Sequence, residues 1–203
     1  FNGLVRQYYL EGWYPEGTPG SGMPFAPSAA LIKATLINSG VEMTADDAYA
    51  NGELRFPTNN QGWGRIMLDS TLHFPGDEER LVVDDNAGLA TDGSNQYPFN
   101  VGSRFKPFEV TLVWSDPAAT LGTSPVLVND LDLIVTAPDG TVYRGNASSG
   151  HRPGGSRPNA TPGDADRLNN VESVLILPNV MPGAWSVRVE GYHVPMGNGD
   201  SRQ

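Results

Sequence analysis

Beyond about Pro75 the spacing of apolar residues changes from a period near 3.6 to a period of 2, and no other feature narrows the possible folds so far. Segments 80–84, 97–101, 108–115, 126–136, 141–145, 171–177 and 184–192 read as strands. "APDGT" and "VMPGAW" place Asp-Gly and Pro-Gly turn signals between consecutive strands. Twenty-four Gly and 17 Pro, with only 18% charged residues, favour many short strands over long surface helices. The expectation is a mainly β protein, an antiparallel jelly-roll or β-sandwich domain. Greek-key jelly rolls are usually built from eight strands. The chain closes on "GNGDSRQ", a turn signal with no strand after it, so the last strand is expected to be missing.

The front of the chain follows a helical period. "FNGLVRQYYLEGWYP" places Phe1, Leu4, Val5, Tyr8 and Tyr9 at helical spacing, with Pro15 as the stop and no capping residue ahead of Phe1. "PSAALIKATLINSG" reads as a second helix, with Ser28 near its start and Gly40 just past its end. "NNQGWGRIMLDSTL" adds a Gly-flanked Trp63 and a short apolar segment. Two helices and a Trp loop offer little apolar surface, so residues 1–75 are expected to need a partner surface, and 76–203 to form the β-domain.

Thirteen basic against 23 acidic side chains give a net charge of −10, which repels phosphate backbones and anionic lipid faces. No nucleic acid and no membrane are therefore expected as partners. No apolar run approaches 18 residues, and no basic-then-apolar opening resembles a signal peptide. The chain has no cysteine, hence no disulfide, thiolate nucleophile or cysteine-ligated zinc.

The stretch "VLVNDLDLIVTAPDG" carries two carboxylates in an apolar strand. Alternation puts Leu131, Leu133 and Val135 on one face, read as the core face, and Asp130 and Asp132 on the other. At roughly 7 Å, two such charges repel by about 0.6 kcal/mol in water and about 2.4 kcal/mol at an effective dielectric of 20. A wet surface tolerates that; a covered one gives reason for a cation. Residues 146–170 form an aperiodic loop holding Asp164 and Asp166, with Asn146, Asn169 and Asn170 offering amide oxygens. Calcium takes six to eight hard oxygen ligands, which suits an acidic Gly/Asn loop folding onto an acidic strand. Two other readings stand beside it: solvated carboxylates under a mobile loop, and neutralisation by Arg144, Arg152, Arg157 or Arg167.

A nucleophile needs a base within reach and a group to orient it. Ser124, in "GTSP", lies between two expected strands with no helix after it to supply an oxyanion site. His73, His151 and His193 are isolated in sequence and read as loop or surface residues. Asn146-Ala-Ser148 and Asn159-Ala-Thr161 match glycosylation sequons. No catalytic residue is expected in this chain.

Taken in order, these motifs resemble one family, the subtilisin-like serine proteases, in the secreted bacterial alkaline branch that appends a C-terminal β-barrel or jelly-roll domain. "GLVRQYYLEGWYP" resembles the helix following that family's nucleophile motif, "PSAALIKATLINSG" the next helix, and "NQGWGRIMLDSTL" the segment closing the peptidase domain. "VTLVWSDP", "LVNDLDLIVTAPDGTVYRGN", "NNVESVLI" and "GAWSVRVEGYHVP" are similar, in order, to segments of the appended domain. The resemblance implies a parent endopeptidase, secreted and acting on protein or peptide substrates. Its Asp, His and Ser would lie upstream of Phe1, and this chain's partner would be the remainder of the peptidase domain. It also implies bound calcium, with Asp132 and Asp166 as ligands and Asp130, Asp164 and Asn146 as weaker matches. A non-catalytic, calcium-dependent carbohydrate-binding or adhesion β-sandwich is the alternative from another functional class.

Overall fold

A computed structural model describes residues 1–41, 43, 61–85, 87–147 and 155–196, and divides the chain into two units, Phe1–Asn86 and Ala87–Gln203. His151, Arg152, Ser148 and the closing stretch 197–203 lie outside the described residues.

In the first unit, helix α1 spans Asn2–Leu10, with Phe1 at its N-cap making no side-chain capping bond. It ends before the expected stop at Pro15, because Gly12 takes a φ of 65° and turns the chain back. Helix α2 spans Ala29–Asn38, and the Ser28 hydroxyl accepts from the Leu31 amide at 2.9 Å. Two-residue strands β1 (Gly40–Val41) and β2 (Arg65–Ile66) pair antiparallel beyond it. Val5, Tyr8, Tyr9, Leu31, Ile32 and Leu72 form a buried core. Aromatic contacts extend that core: Tyr9 lies 5.0 Å from Phe25 and Tyr8 5.8 Å from Phe74, centroid to centroid. The helical segment thus has a core of its own, which helix spacing alone understated because Phe25 and Phe74 come from loops. Phe1, Leu4 and Leu10 remain exposed.

Segment 80–84 is not a strand. Leu81 and Val83 pack against the helical core, and the Asp85 carboxylate accepts from the Ser28 amide at 2.9 Å. Alternation there reflects an extended chain laid on a helical surface, without a ladder partner.

The other six expected strands form, all antiparallel, with ends shifted by a few residues: β3 (Ser94–Val101), β4 (Phe108–Val113), β5 (Asp130–Thr136), β6 (Val142–Arg144), β7 (Val171–Ile176) and β8 (Gly183–His193). They make a four-stranded sheet in the order β3-β8-β5-β6 and a two-stranded sheet β4-β7. Leu133, Val135, Trp185 and Val187 of the first sheet bury against Val174 of the second, with Phe99, Phe108, Val110 and Leu112 around them. The Phe108 and Trp185 rings meet at 5.2 Å across the gap. Among the described residues the chain is mainly β, with two α-helices.

Candidate functional site

Strand β5 runs through the middle of its sheet, and both its faces are covered. Leu133 and Val135 enter the core as alternation requires, while Asp130, Asp132 and Ile134 on the opposite face are also buried, the two aspartates only 8% and 6% exposed. A register shift against β8 falls between Asp130 and Leu131, which pairs Asp130 with His193 and Leu131 with Gly191. The bulge removes Leu131 from the fully buried set, a departure that strict alternation does not foresee.

Arg167 covers the acidic face. Its Nη1 donates to Asp130 Oδ1 at 3.1 Å and also to Asp132 Oδ1, while Nη2 donates to Asp132 Oδ2 at 3.1 Å. The guanidinium therefore forks onto Asp132 and bridges to Asp130, the planar two-donor geometry that lysine lacks. Tyr192 of β8 lies beneath it, with the guanidinium carbon 3.6 Å from the ring centroid. Arg144, at the end of β6, brings a second cation to 3.9 Å from Asp132 Oδ2. Burial pushes the Asp130 carboxyl up; Arg167 opposes that rise and the neighbouring Asp132 adds to it. Hydrogen bonds to Asp132 hold Arg167 still more firmly protonated.

The remaining expected ligands are engaged elsewhere. Asp166 accepts from Asn146 Nδ2 at 2.7 Å, Asn169 Nδ2 at 2.7 Å, and the amides of Leu168 and Asn169 at 2.8 and 3.3 Å. Asn146, at a φ of 55°, donates from Nδ2 to the Val171 carbonyl at 2.6 Å, and its Oδ1 accepts from the Ser173 amide at 3.0 Å. That amide nitrogen, the acceptor of one sequon, is thus bound inside the fold, whereas Asn159 of the other sequon is exposed. Asp164 closes the short 3-10 turn Pro162–Asp164, accepting from the Thr161 amide and hydroxyl at 2.7 Å and pairing with Arg157. The Thr161 amide holds its carboxyl below the usual range. Asp130 and Asp132 are brought together by Arg167, Asp166 joins Asn146, and Asp164 belongs to a separate turn. Among the described residues, no three His, Cys, Asp or Glu side chains are placed to share a metal ion.

Glu172 is the site residue that strand reading passed over. It shares the inward face of β7 with Val174 and Ile176 and is 1% exposed. Strand β6 pairs with β5 only as far as Arg144 opposite Ile134; just beyond, the Gly145 amide donates to the Leu133 carbonyl at 2.9 Å, and Glu172 Oε2 accepts from the Leu133 amide at 2.6 Å. The carboxyl continues a ladder that the strand leaves unfinished. A side chain at position 145 would not fit there, since its Cβ would lie 2.5 Å from that of Glu172. Among the described residues, Glu172 Oε1 is buried with no hydrogen-bond partner. Burial raises this carboxyl to about 9, and the neighbouring Asp132, Asp166 and Asp130 add to the rise, so it is neutral at physiological pH. The available signal was a glutamate in phase with Val174 and Ile176 in "NNVESVLI".

Ser124 lies exposed in the loop between β4 and β5. His73 is buried rather than superficial, and its carbonyl accepts from the Tyr8 hydroxyl at 2.8 Å. Among the described residues, no helix is long and apolar enough to cross a membrane.

No protein-family model matches the chain. Curated relatives do. The chain is 32% identical over 208 residues, 96% of its length, to the serine protease/ABC transporter B family protein tagA of Dictyostelium discoideum. The tagD and tagB proteins of the same organism are 26% and 24% identical, again over 96% of the chain. The chain spans only 11–13% of these relatives' length. It is therefore similar to one segment of large proteins whose names include a serine protease.

Proposed function

We propose that this chain is part of a subtilisin-like serine endopeptidase. In this reading the first unit is the end of the peptidase domain and the second is an appended antiparallel domain of the jelly-roll type. One observation carries it: the similarity to proteins named as serine proteases covers 96% of the chain, running through the helical unit and the β-sandwich in a single stretch. A free-standing binding module accounts for the sandwich but not for the helices in front of it.

The chemistry would belong to residues outside this sequence. A subtilisin-type enzyme cleaves by acyl transfer through a serine activated by histidine, which aspartate orients. Ser124 is exposed in a loop, and among the described residues no α-helix follows it to supply an oxyanion site, so this chain alone is proposed to be inactive. Phe1, Leu4 and Leu10 offer apolar surface to the rest of the peptidase domain, the partner this reading names. The appended domain would stiffen the enzyme or shape access to its cleft, and the parent would be secreted and act on protein or peptide substrates.

The test is to capture the native gene product with an antibody against this chain and label it with a fluorophosphonate. Labelling of a serine upstream of Phe1, with Asp and His elements further upstream, supports the proposal. A product with no reactive serine, whose sandwich binds glycans in calcium, would favour the adhesion-module reading instead.

A further inference from the structure

We infer that Arg167 takes the cation position on the acidic face of β5, so that the loop is fastened to the strand by an internal guanidinium and the fold does not require a divalent ion. The resemblance to calcium-binding appended domains points to a metal at Asp132 and Asp166; the donor chemistry here points elsewhere. Calcium needs six to eight oxygens around one point. Both Asp132 oxygens face Arg167, and Asp130 Oδ1 accepts from the same guanidinium. The Asp166 oxygens accept four hydrogen bonds from Asn146, Leu168 and Asn169, and Asn146 Oδ1 accepts from the Ser173 amide. Asp130, Asp132, Asp166 and Asn146 are thus each already bonded to a protein donor through at least one side-chain oxygen.

The guanidinium also does what a metal would do mechanically. Arg167 comes from the segment between the 3-10 turn and β7, Asp130 and Asp132 from β5, and Tyr192 from β8, so one side chain ties three parts of the unit. Arg144 adds a second positive charge from β6. Two guanidinium groups balance most of the charge of Asp130, Asp132 and Asp166, with Glu172 neutral. A dication placed beside them would meet positive charge at close range.

Thermal melting of the full chain tests this in three arms. Wild-type protein is expected to melt at the same temperature after exhaustive chelation and after calcium is added back; a fall on chelation, restored by calcium and absent in Asp132→Asn, would overturn the inference. Arg167→Gln is expected to lower the melting temperature by about 5–10 °C, since it leaves two buried carboxylates without their fork. No fall in that variant would overturn the inference too. Arg167→Gln combined with Asp132→Asn is expected to lose less than the two single changes together, because the second removes the charge the first strands. Strictly additive losses would mean that Arg167 and Asp132 are not coupled, and the clamp would be refuted.

Discussion

Replacing Glu172 by Gln should make the protein more stable at neutral and alkaline pH and flatten its dependence on pH. The carboxyl is 1% exposed and held up to about 9 by burial, against 4.5 when free. Neutral in the fold and ionised in the unfolded chain, it lets deprotonation favour unfolding. The stability associated with the protonated group is whole below about pH 4.5, falls as pH rises, and is lost once pH has passed through about 9. Each pH unit in that window is worth about 1.4 kcal/mol, so by pH 7 the limiting loss is about 3 kcal/mol. Water drawn in around an ionised Glu172 lowers that limit, and glutamine keeps an acceptor for the Leu133 amide without a titrating proton. The expected gain is about 1–3 kcal/mol at pH 7–8, shrinking toward zero near pH 5. Urea midpoints of both proteins between pH 5 and 9 measure it directly. Glu109, raised to about 8 by burial alone, leaves some slope in the variant, so the difference between the two curves is the quantity to read. Parallel curves would refute the argument that Glu172 is held neutral inside the sandwich.

Three further outcomes follow from individual contacts. Gly145→Ala should cost about 1–3 kcal/mol in urea unfolding, because the new methyl group meets the Glu172 side chain. Trp185→Ala should cost about 3–5 kcal/mol by the same measurement, since the ring is 2% exposed, meets Phe108 of the other sheet and stacks on Tyr143 of its own. Ser28→Ala should cost about 1–2 kcal/mol in thermal or urea melts, losing the cap on the Leu31 amide and the hydroxyl's bond to Asp85.

Much of the architecture was legible because its signals are local. Ser28 marks the start of α2 by a hydroxyl that caps the helix, and strict alternation located β3, β5, β7 and β8 to within a few residues. Segment 80–84 misled for a physical reason: Leu81 and Val83 alternate because they lie on a helical core, and alternation records burial on one side, not the presence of a neighbouring strand. The candidate site was half visible. Asp130 and Asp132 announced a charge problem, and Arg167 was one of four arginines able to answer it. The choice among them depends on how residues 155–170 fold back over Tyr192, a contact that no local pattern encodes. Glu172 stayed hidden because its use depends on β6 ending at Arg144, which leaves the Leu133 amide open.

The central proposal is that the first unit belongs to a peptidase domain and that the second stabilises the parent enzyme. The most direct measurement is the half-life of peptidase activity at raised temperature for the parent polypeptide, intact and with residues 87–203 removed. The account predicts that the shortened enzyme still cleaves peptides and labels at its serine, but loses activity several-fold faster. A parent with no peptidase activity, or one whose thermal half-life is unchanged by the deletion, would contradict it.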